Sequence, residues 1–261
     1  MTSPFDLPDF NRTLFFPRAD PSPTPVDAED HLVDVEGGDR VHVRFHRHDE
    51  ADLTLLFFHG NGEIVSDYDD LASAWRQLGV QLVVGEYRGY GRSSGEPTLR
   101  AAVSDAHPIL EHVRGACGDT RLAVMGRSLG SAPAIELAVS EPGIAGLIIE
   151  SGFADPFGLL RRRGIHLTRL EEEDHRTFDN GRKIEGVACP TLVLHGAADD
   201  LLSPAEGRAL HDSAGAEEKR LVLLPGVGHN DILWGAFEAY FKAVGEFLST
   251  LRGLPSQDGL P

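Results

Sequence analysis

Residues 122–130, LAVMGRSLG, constrain the fold of this chain more than any other stretch. An apolar, strand-like run passes into Gly126-Arg127-Ser128-Leu129-Gly130 and then directly into SAPAIELAVS, a helix-forming segment. A serine at such a strand-to-helix corner sits on a sharp turn that lifts its hydroxyl clear of the sheet. The next residue offers a backbone N–H at a helix start. Gly126 and Gly130 suit the corner because a side chain at either place would crowd it. Pro133 is tolerated in a first helical turn, where its missing N–H has no intrahelical partner.

A second Gly-x-Ser-x-Gly occurs at Gly91-Arg92-Ser93-Ser94-Gly95, so the pattern alone is a weak signal. Context separates the two. Ser93 lies in the glycine-rich run EYRGYGRSSGEP, followed by Glu96-Pro97, which reads as loop. Only Ser128 has a strand immediately before it and a helix immediately after it. Ser128 is therefore the candidate nucleophile.

The rest of the chain repeats this alternation. His31–Glu36 and Val41–Phe45 form a hairpin signal about Gly37-Gly38-Asp39. Leu53–Phe58 is continuously apolar, as a strand buried on both faces would be. Further strands are expected at 80–85, 121–126, 144–150, 191–196 and 219–224. Helices are expected at about 66–78, 99–114 with Thr98 as N-cap, 129–140, 204–214 and 231–251. Crossover-length spacing between strands implies an α/β fold: a mostly parallel sheet of about eight strands with helices on both faces. Residues 1–30 read as an N-terminal arm whose aromatics pack on the body. Residues 31–261 form one domain, interrupted by a charged insertion at about 152–188.

Composition narrows the classes of function. The 41% apolar and 25% charged fractions are those of a globular protein with a full core. A net charge of −17 repels nucleic acid and anionic membranes, and excludes both as expected partners. The acidic runs Asp67–Asp70 and Glu171–Asp174 read as solvated faces. Cys117 and Cys189 have no disulfide spacing, and structural roles are expected for both. No signal peptide and no membrane-spanning run is evident, so a cytoplasmic setting is expected.

A serine hydroxyl is a poor nucleophile until a base takes its proton, and that base needs a third group to hold it. In an open α/β sheet such groups belong at the C-terminal ends of strands. LVLHGAADD places Asp199 and Asp200 just past one strand, and LPGVGHND places His229 in a glycine-rich loop past another. The order Ser128, Asp199, His229 matches that of α/β-hydrolases. With HGNGE, GEYRGYGRSSGEP, GRSLG, HGAADDLLSP and GVGHND, the chain from about residue 31 resembles this superfamily. Within it, the resemblance is to compact small-cap hydrolases, including Bem46-like proteins and ABHD-type thioesterases.

The resemblance implies roles. Ser128 attacks an acyl carbon, His229 serves as general base and then acid, and Asp199, the first aspartate after HGAA, orients the imidazole. The oxyanion hole is expected from the backbone N–H groups of Asn61 and Leu129. Because these are main-chain donors, Asn61→Ala is expected to do little and Asn61→Pro to remove the donor. No cofactor and no metal is implied. The expected partner is a small-molecule acyl substrate, with the oligomeric state left open.

Other residues read as supporting structure. His59 and His195 are expected to bond within their loops, Glu63 to make a salt bridge or loop bond, and Arg127 to pair with a carboxylate. His42, His46 and His48 are expected at the surface. The insertion carries Arg161-Arg162-Arg163, His166 and His175. Its arginines read as a solvated edge, or else as a lid meeting an anionic substrate group. The leading function is a serine esterase or thioesterase. Rivals are a prolyl-aminopeptidase or dipeptidyl-peptidase-like enzyme, with Glu63 and Glu150 as candidate grips for an α-amine, a perhydrolase or lyase using the same three residues, and a hydrolase-fold binding protein without catalysis.

Overall fold

The continuously apolar runs of the sequence become the inner strands of one sheet, as burial on both faces requires. In the computed structural model, which describes residues 3–162, 164, 165, 167 and 170–252, eight strands are present: β1 (Ala28–Asp34), β2 (Arg40–His46), β3 (Leu53–Phe58), β4 (Val80–Gly85), β5 (Arg121–Arg127), β6 (Ile144–Glu150), β7 (Thr191–Gly196) and β8 (Lys219–Leu224). Their order is β1-β2-β4-β3-β5-β6-β7-β8. β1 and β2 form the antiparallel hairpin, β2 joins β4 antiparallel, and every pairing from β4 through β8 is parallel.

Helices α1 (Pro8–Leu14), α2 (Ala72–Gln77), α3 (Leu99–Ser104), α4 (Ala106–Cys117), α5 (Ser131–Ser140), α6 (Pro156–Arg162), α7 (Glu172–Phe178), α8 (Asn180–Lys183), α9 (Pro204–Ser213), α10 (Ile232–Gly235) and α11 (Phe237–Arg252) cover the sheet. Two apolar cores result, one on each sheet face. Ile109, Leu110, Val113, Ile135 and Leu137 pack on one face; Trp75, Phe241, Val244, Phe247 and Leu248 pack on the other. Thr98 caps α3, its Oγ1 accepting the Ala101 N–H at 2.9 Å. The single helix expected at 99–114 is two, joined at Asp105, whose carboxylate turns back to Arg88 at 2.7 and 2.8 Å. The expected C-terminal helix also breaks, at Ala236.

The serine corner rests on an approach that only glycine permits. A Cβ on Gly130 would lie 2.0 Å from the Phe58 carbonyl oxygen, and one on Gly126 2.1 Å from that of Gly130. The end of β3, the end of β5 and the start of α5 therefore meet backbone to backbone.

The histidine expectation is corrected on β2. His42 and His46 are buried, and the strand's alternation puts Arg44 on their face, fully enclosed. Arg44 donates to Asp30 on β1 at 2.7 and 2.9 Å and to Asp69 at 2.8 and 3.1 Å. His42 lies 3.0 Å from Asp30, and His46 lies 3.4 Å from Asp69. Hence Asp69 is an internal counter-ion, not part of a solvated face. Burial depresses both imidazoles, His46 to about 4, so both stand neutral beside the guanidinium. Asp174 in the second acidic run is buried too, accepting the Ser3 hydroxyl at 2.5 Å.

Phe5, Phe10 and Phe15 of the arm are buried as expected, with the Phe5 ring centroid 4.3 Å from that of Phe178 of α7, whereas Phe16 is exposed. Within the 152–188 insertion, buried Lys183 pairs with Glu136 of α5, which also lies 3.5 Å from His107. Burial alone would raise the Glu136 carboxyl; the His107 and Lys183 partners outweigh it and bring it down to about 2. Arg163 and His166 fall outside the described residues, as does the side chain of Arg162.

Two outcomes follow from these contacts. Gly130→Ala is expected to destabilise by about 3 kcal/mol or more, read from urea unfolding, since neither clashing partner is a flexible side chain. Glu136→Gln is expected to destabilise by about 1–3 kcal/mol at pH 7. A depressed acid contributes its full stability above its unfolded value of about 4.3 and loses it as pH falls toward its folded value. The gap between variant and wild type should therefore narrow below about pH 5 and close only near pH 2; a pH-independent gap would contradict the assignment.

Candidate active site

Ser128 follows β5 with φ 51°, a left-handed backbone conformation that is uncommon for a residue with a Cβ. That conformation turns the chain from strand to helix within one residue. The Ser131 hydroxyl donates to the Ser128 carbonyl at 2.7 Å and closes the corner. Ser128 Oγ lies 2.9 Å from His229 Nε2, and His229 Nδ1 lies 2.7 Å from Asp199 Oδ2. The structure thus brings together three residues that stand 71 and 30 positions apart in sequence.

Asp199 is held as tightly as the imidazole it meets. Its Oδ1 accepts the Leu201 and Leu202 N–H groups at 3.0 and 2.8 Å, and its Oδ2 lies 3.2 Å from His195 Nε2. Burial alone would raise its carboxyl; the bonds from His195, His229 and Leu202 hold it well below the usual carboxylate range. It is an anion facing His229 Nδ1. Asp200, the neighbouring candidate, is exposed. Ser93 takes a structural part instead, its hydroxyl accepting the His42 N–H at 2.9 Å.

Ser128 and His229 open onto a cavity of about 380 Å³, with Asp199 buried behind them. Leu14 and Phe16 of the arm, Phe153, Pro156, Leu159 and Leu160 of the insertion, and Leu201 and Leu202 wall it with apolar surface. Gly60, Asn61 and Leu129 line it beside Ser128. Its charged lining residues, Glu63 and Arg127, pair with each other at 3.1 Å. Arg161 is exposed, 3.6 Å from Asp155, and His175 stacks on Phe157; neither lines the cavity.

The loops behind the site carry the bonds expected of them, and more. His59 is fully buried, with Nδ1 2.8 Å from the Gly60 carbonyl and Nε2 2.5 Å from Glu86. His195 Nε2 lies 2.8 Å from the Leu202 carbonyl. Glu63 accepts the Gly60 N–H at 2.6 Å and the Tyr68 hydroxyl at 2.7 Å. Asn61 departs from expectation. Its Oδ1 accepts the Phe16 N–H at 3.0 Å and the Tyr90 hydroxyl at 2.6 Å, and its Nδ2 donates to the Leu14 carbonyl at 2.6 Å. The side chain is the polar clasp between arm and site loop, a role that nothing local in HGNGE signals.

Residues 49–159 match the family described as serine aminopeptidase, S33. An uncharacterized protein of Mycobacterium tuberculosis is 32% identical over 230 residues, spanning 84% of this chain and 80% of that protein. Protein bem46 of Schizosaccharomyces pombe is 28% identical over 266 residues, 92% of this chain and 86% of that protein. The Pyrococcus furiosus esterase Pf2001 shares the fold with a TM-score of 0.75 at 17% identity, over 90% of this chain and 98% of that one. A thermophilic esterase from Thermogutta terrifontis does so at 0.64 and 19%, over 85% and 99%. The chain belongs to the α/β-hydrolase superfamily.

Asn61→Ala leaves the backbone N–H in place but removes the clasp. It is expected to lower stability by about 1–3 kcal/mol and to speed proteolytic cleavage before residue 20. Wild-type cleavage kinetics would show that the arm does not depend on Asn61.

Proposed function

We propose that this protein is a serine hydrolase that cleaves a carboxylic ester or thioester through an acyl-enzyme. The observation that carries the reading is the unbroken chain from Ser128 Oγ through His229 to the buried Asp199 anion, opening on an apolar cavity. Ser128 adds to the acyl carbon while His229 Nε2 takes the hydroxyl proton. Asp199 fixes the imidazole with Nδ1–H toward itself and stabilises the imidazolium. The oxyanion faces the main-chain N–H groups of Leu129, at the helix start, and Asn61, each worth about 3 kcal/mol of transition-state stabilisation. Collapse of the tetrahedral adduct expels the alcohol or thiol, which receives the proton from His229. Water then repeats the sequence on the acyl-enzyme and releases the acid.

The apolar walls favour an acyl chain over a peptide. The amine grip that a peptidase needs is poorly supported by Glu63 and Glu150, because both face Arg127, at 3.1 and 3.3 Å. A cytoplasmic setting and a two-part chain, with an arm to residue 30 and a hydrolase domain capped at about 152–188, complete the reading. The leucine-rich and phenylalanine-rich insertion forms the cap, walling the cavity with carbon.

Hydrolysis of p-nitrophenyl esters from acetate to palmitate tests the proposal, with Ser128→Ala beside wild type. The variant is expected to lose kcat by a factor of about 10⁵–10⁶ while keeping its fold. Equal activity in both proteins would remove Ser128 from the reaction, and the chain-length optimum measures the cavity.

A further inference from the structure

Arg127 ends β5, one residue before Ser128, and its side chain is 10% exposed. Its Nη2 donates to the main-chain carbonyl of His229 at 3.1 Å and lies 3.4 Å from Asn230 Oδ1. Its Nε lies 3.1 Å from Glu63 Oε1 and 3.3 Å from Glu150 Oε1. The far oxygen of Glu63 is fixed by the Gly60 N–H, and that of Glu150 by the Tyr240 hydroxyl at 2.7 Å. We propose that Arg127 is a positioning residue whose guanidinium holds the His229 loop and the Gly60–Glu63 loop in register with Ser128. The inference rests on the serine-hydrolase reading and adds to it a group that touches none of the reacting atoms.

Packing does not supply this register. Arg127, Glu63 and Asn230 form the wall shared by the 380 Å³ cavity and a second one of about 160 Å³ behind it. With cavity space on both sides, the wall is held by the ion pairs of Arg127 Nε with Glu63 and Glu150 and by the hydrogen bond from Nη2 to the His229 carbonyl. A guanidinium is suited to this because its donors diverge in fixed directions, with Nε toward the acids and Nη2 toward the carbonyl. A lysine ammonium matches the charge but not the geometry. Burial raises the Glu150 carboxyl, and the opposing acids hold Arg127 firmly charged.

The rival explanation is that Arg127 merely neutralises two buried acids. Three variants separate the two: Arg127→Lys, Arg127→Gln, and Arg127→Gln combined with Glu150→Gln. The combined variant keeps the cluster at one net negative charge, as in wild type. Each is assayed for melting temperature, for kcat and KM on a p-nitrophenyl ester, and for the rate at which a fluorophosphonate labels Ser128. Arg127→Lys is expected to fold and to lose kcat and labelling rate by about tenfold to a hundredfold, with KM nearly unchanged. The combined variant should regain the melting temperature lost in Arg127→Gln without regaining kcat. Recovery of kcat together with melting temperature, or wild-type kcat in Arg127→Lys, would overturn the proposal while leaving the hydrolase reading intact. Failure of the wild type to label at Ser128 would instead remove that reading, and the proposal with it.

Discussion

Everything at the top of this sheet depends on one backbone contact, that of Gly130 with the end of β3. A methyl group on Gly130 would stand 2.0 Å from the Phe58 carbonyl, so the start of α5 can approach β3 only in its absence. The approach fixes how far Ser128 stands above the sheet and sets the HGNGE loop beside it. Ser128 takes a left-handed backbone, φ 51°, at the same corner. The strain is local, and the parallel strands on either side of β5 over-determine it.

Around that corner, polar groups are placed in tiers. Asp199 accepts two main-chain N–H groups and faces two imidazoles; Glu63 accepts one N–H and one phenol. The Asp199 loop is thereby tied to the His229 loop, and the Gly60–Glu63 loop to Tyr68. On the far side of the sheet's hairpin end, Arg44 does the same among Asp30 and Asp69, with His42 and His46 enclosed beside it. Both clusters put a guanidinium among carboxylates, in keeping with a chain whose cations are nearly all arginine.

The legible parts of this molecule were those whose signal is local. Apolar-rich runs marked β3, β4, β6, β7 and β8 to the residue; β3, β4 and β7 are buried along their whole length, while the edge strand β8 begins with the exposed Lys219 and Arg220. Ser128, Asp199 and His229 were legible because each follows such a run at a glycine-rich turn. What escaped was decided by partners far away in sequence. Alternation put His42, Arg44 and His46 on one face of β2, but only the arrival of Asp30 and Asp69 at Arg44 made that face an interior. The Asn61 side chain looked idle because its partners, Leu14, Phe16 and Tyr90, lie 47, 45 and 29 positions off. The breaks at Asp105 and Ala236 lie within otherwise helical patterns; Pro108 in the first turn of α4 and Gly235 just before Ala236 are the local marks, and both fit a continuous apolar periodicity well enough to be passed over.

The arm has a consequence for how such a molecule diversifies. Leu14 and Phe16 form part of the cavity rim, yet they belong to the stretch before β1, which has no place in the sheet and no part in the corner at Ser128. A rim built from outside the scaffold can be reshaped by exchanging a few side chains, while the strained corner and its supporting bonds stay as they are. Selectivity and chemistry are thus carried by different stretches of chain, and natural variation has a way to change one without disturbing the other.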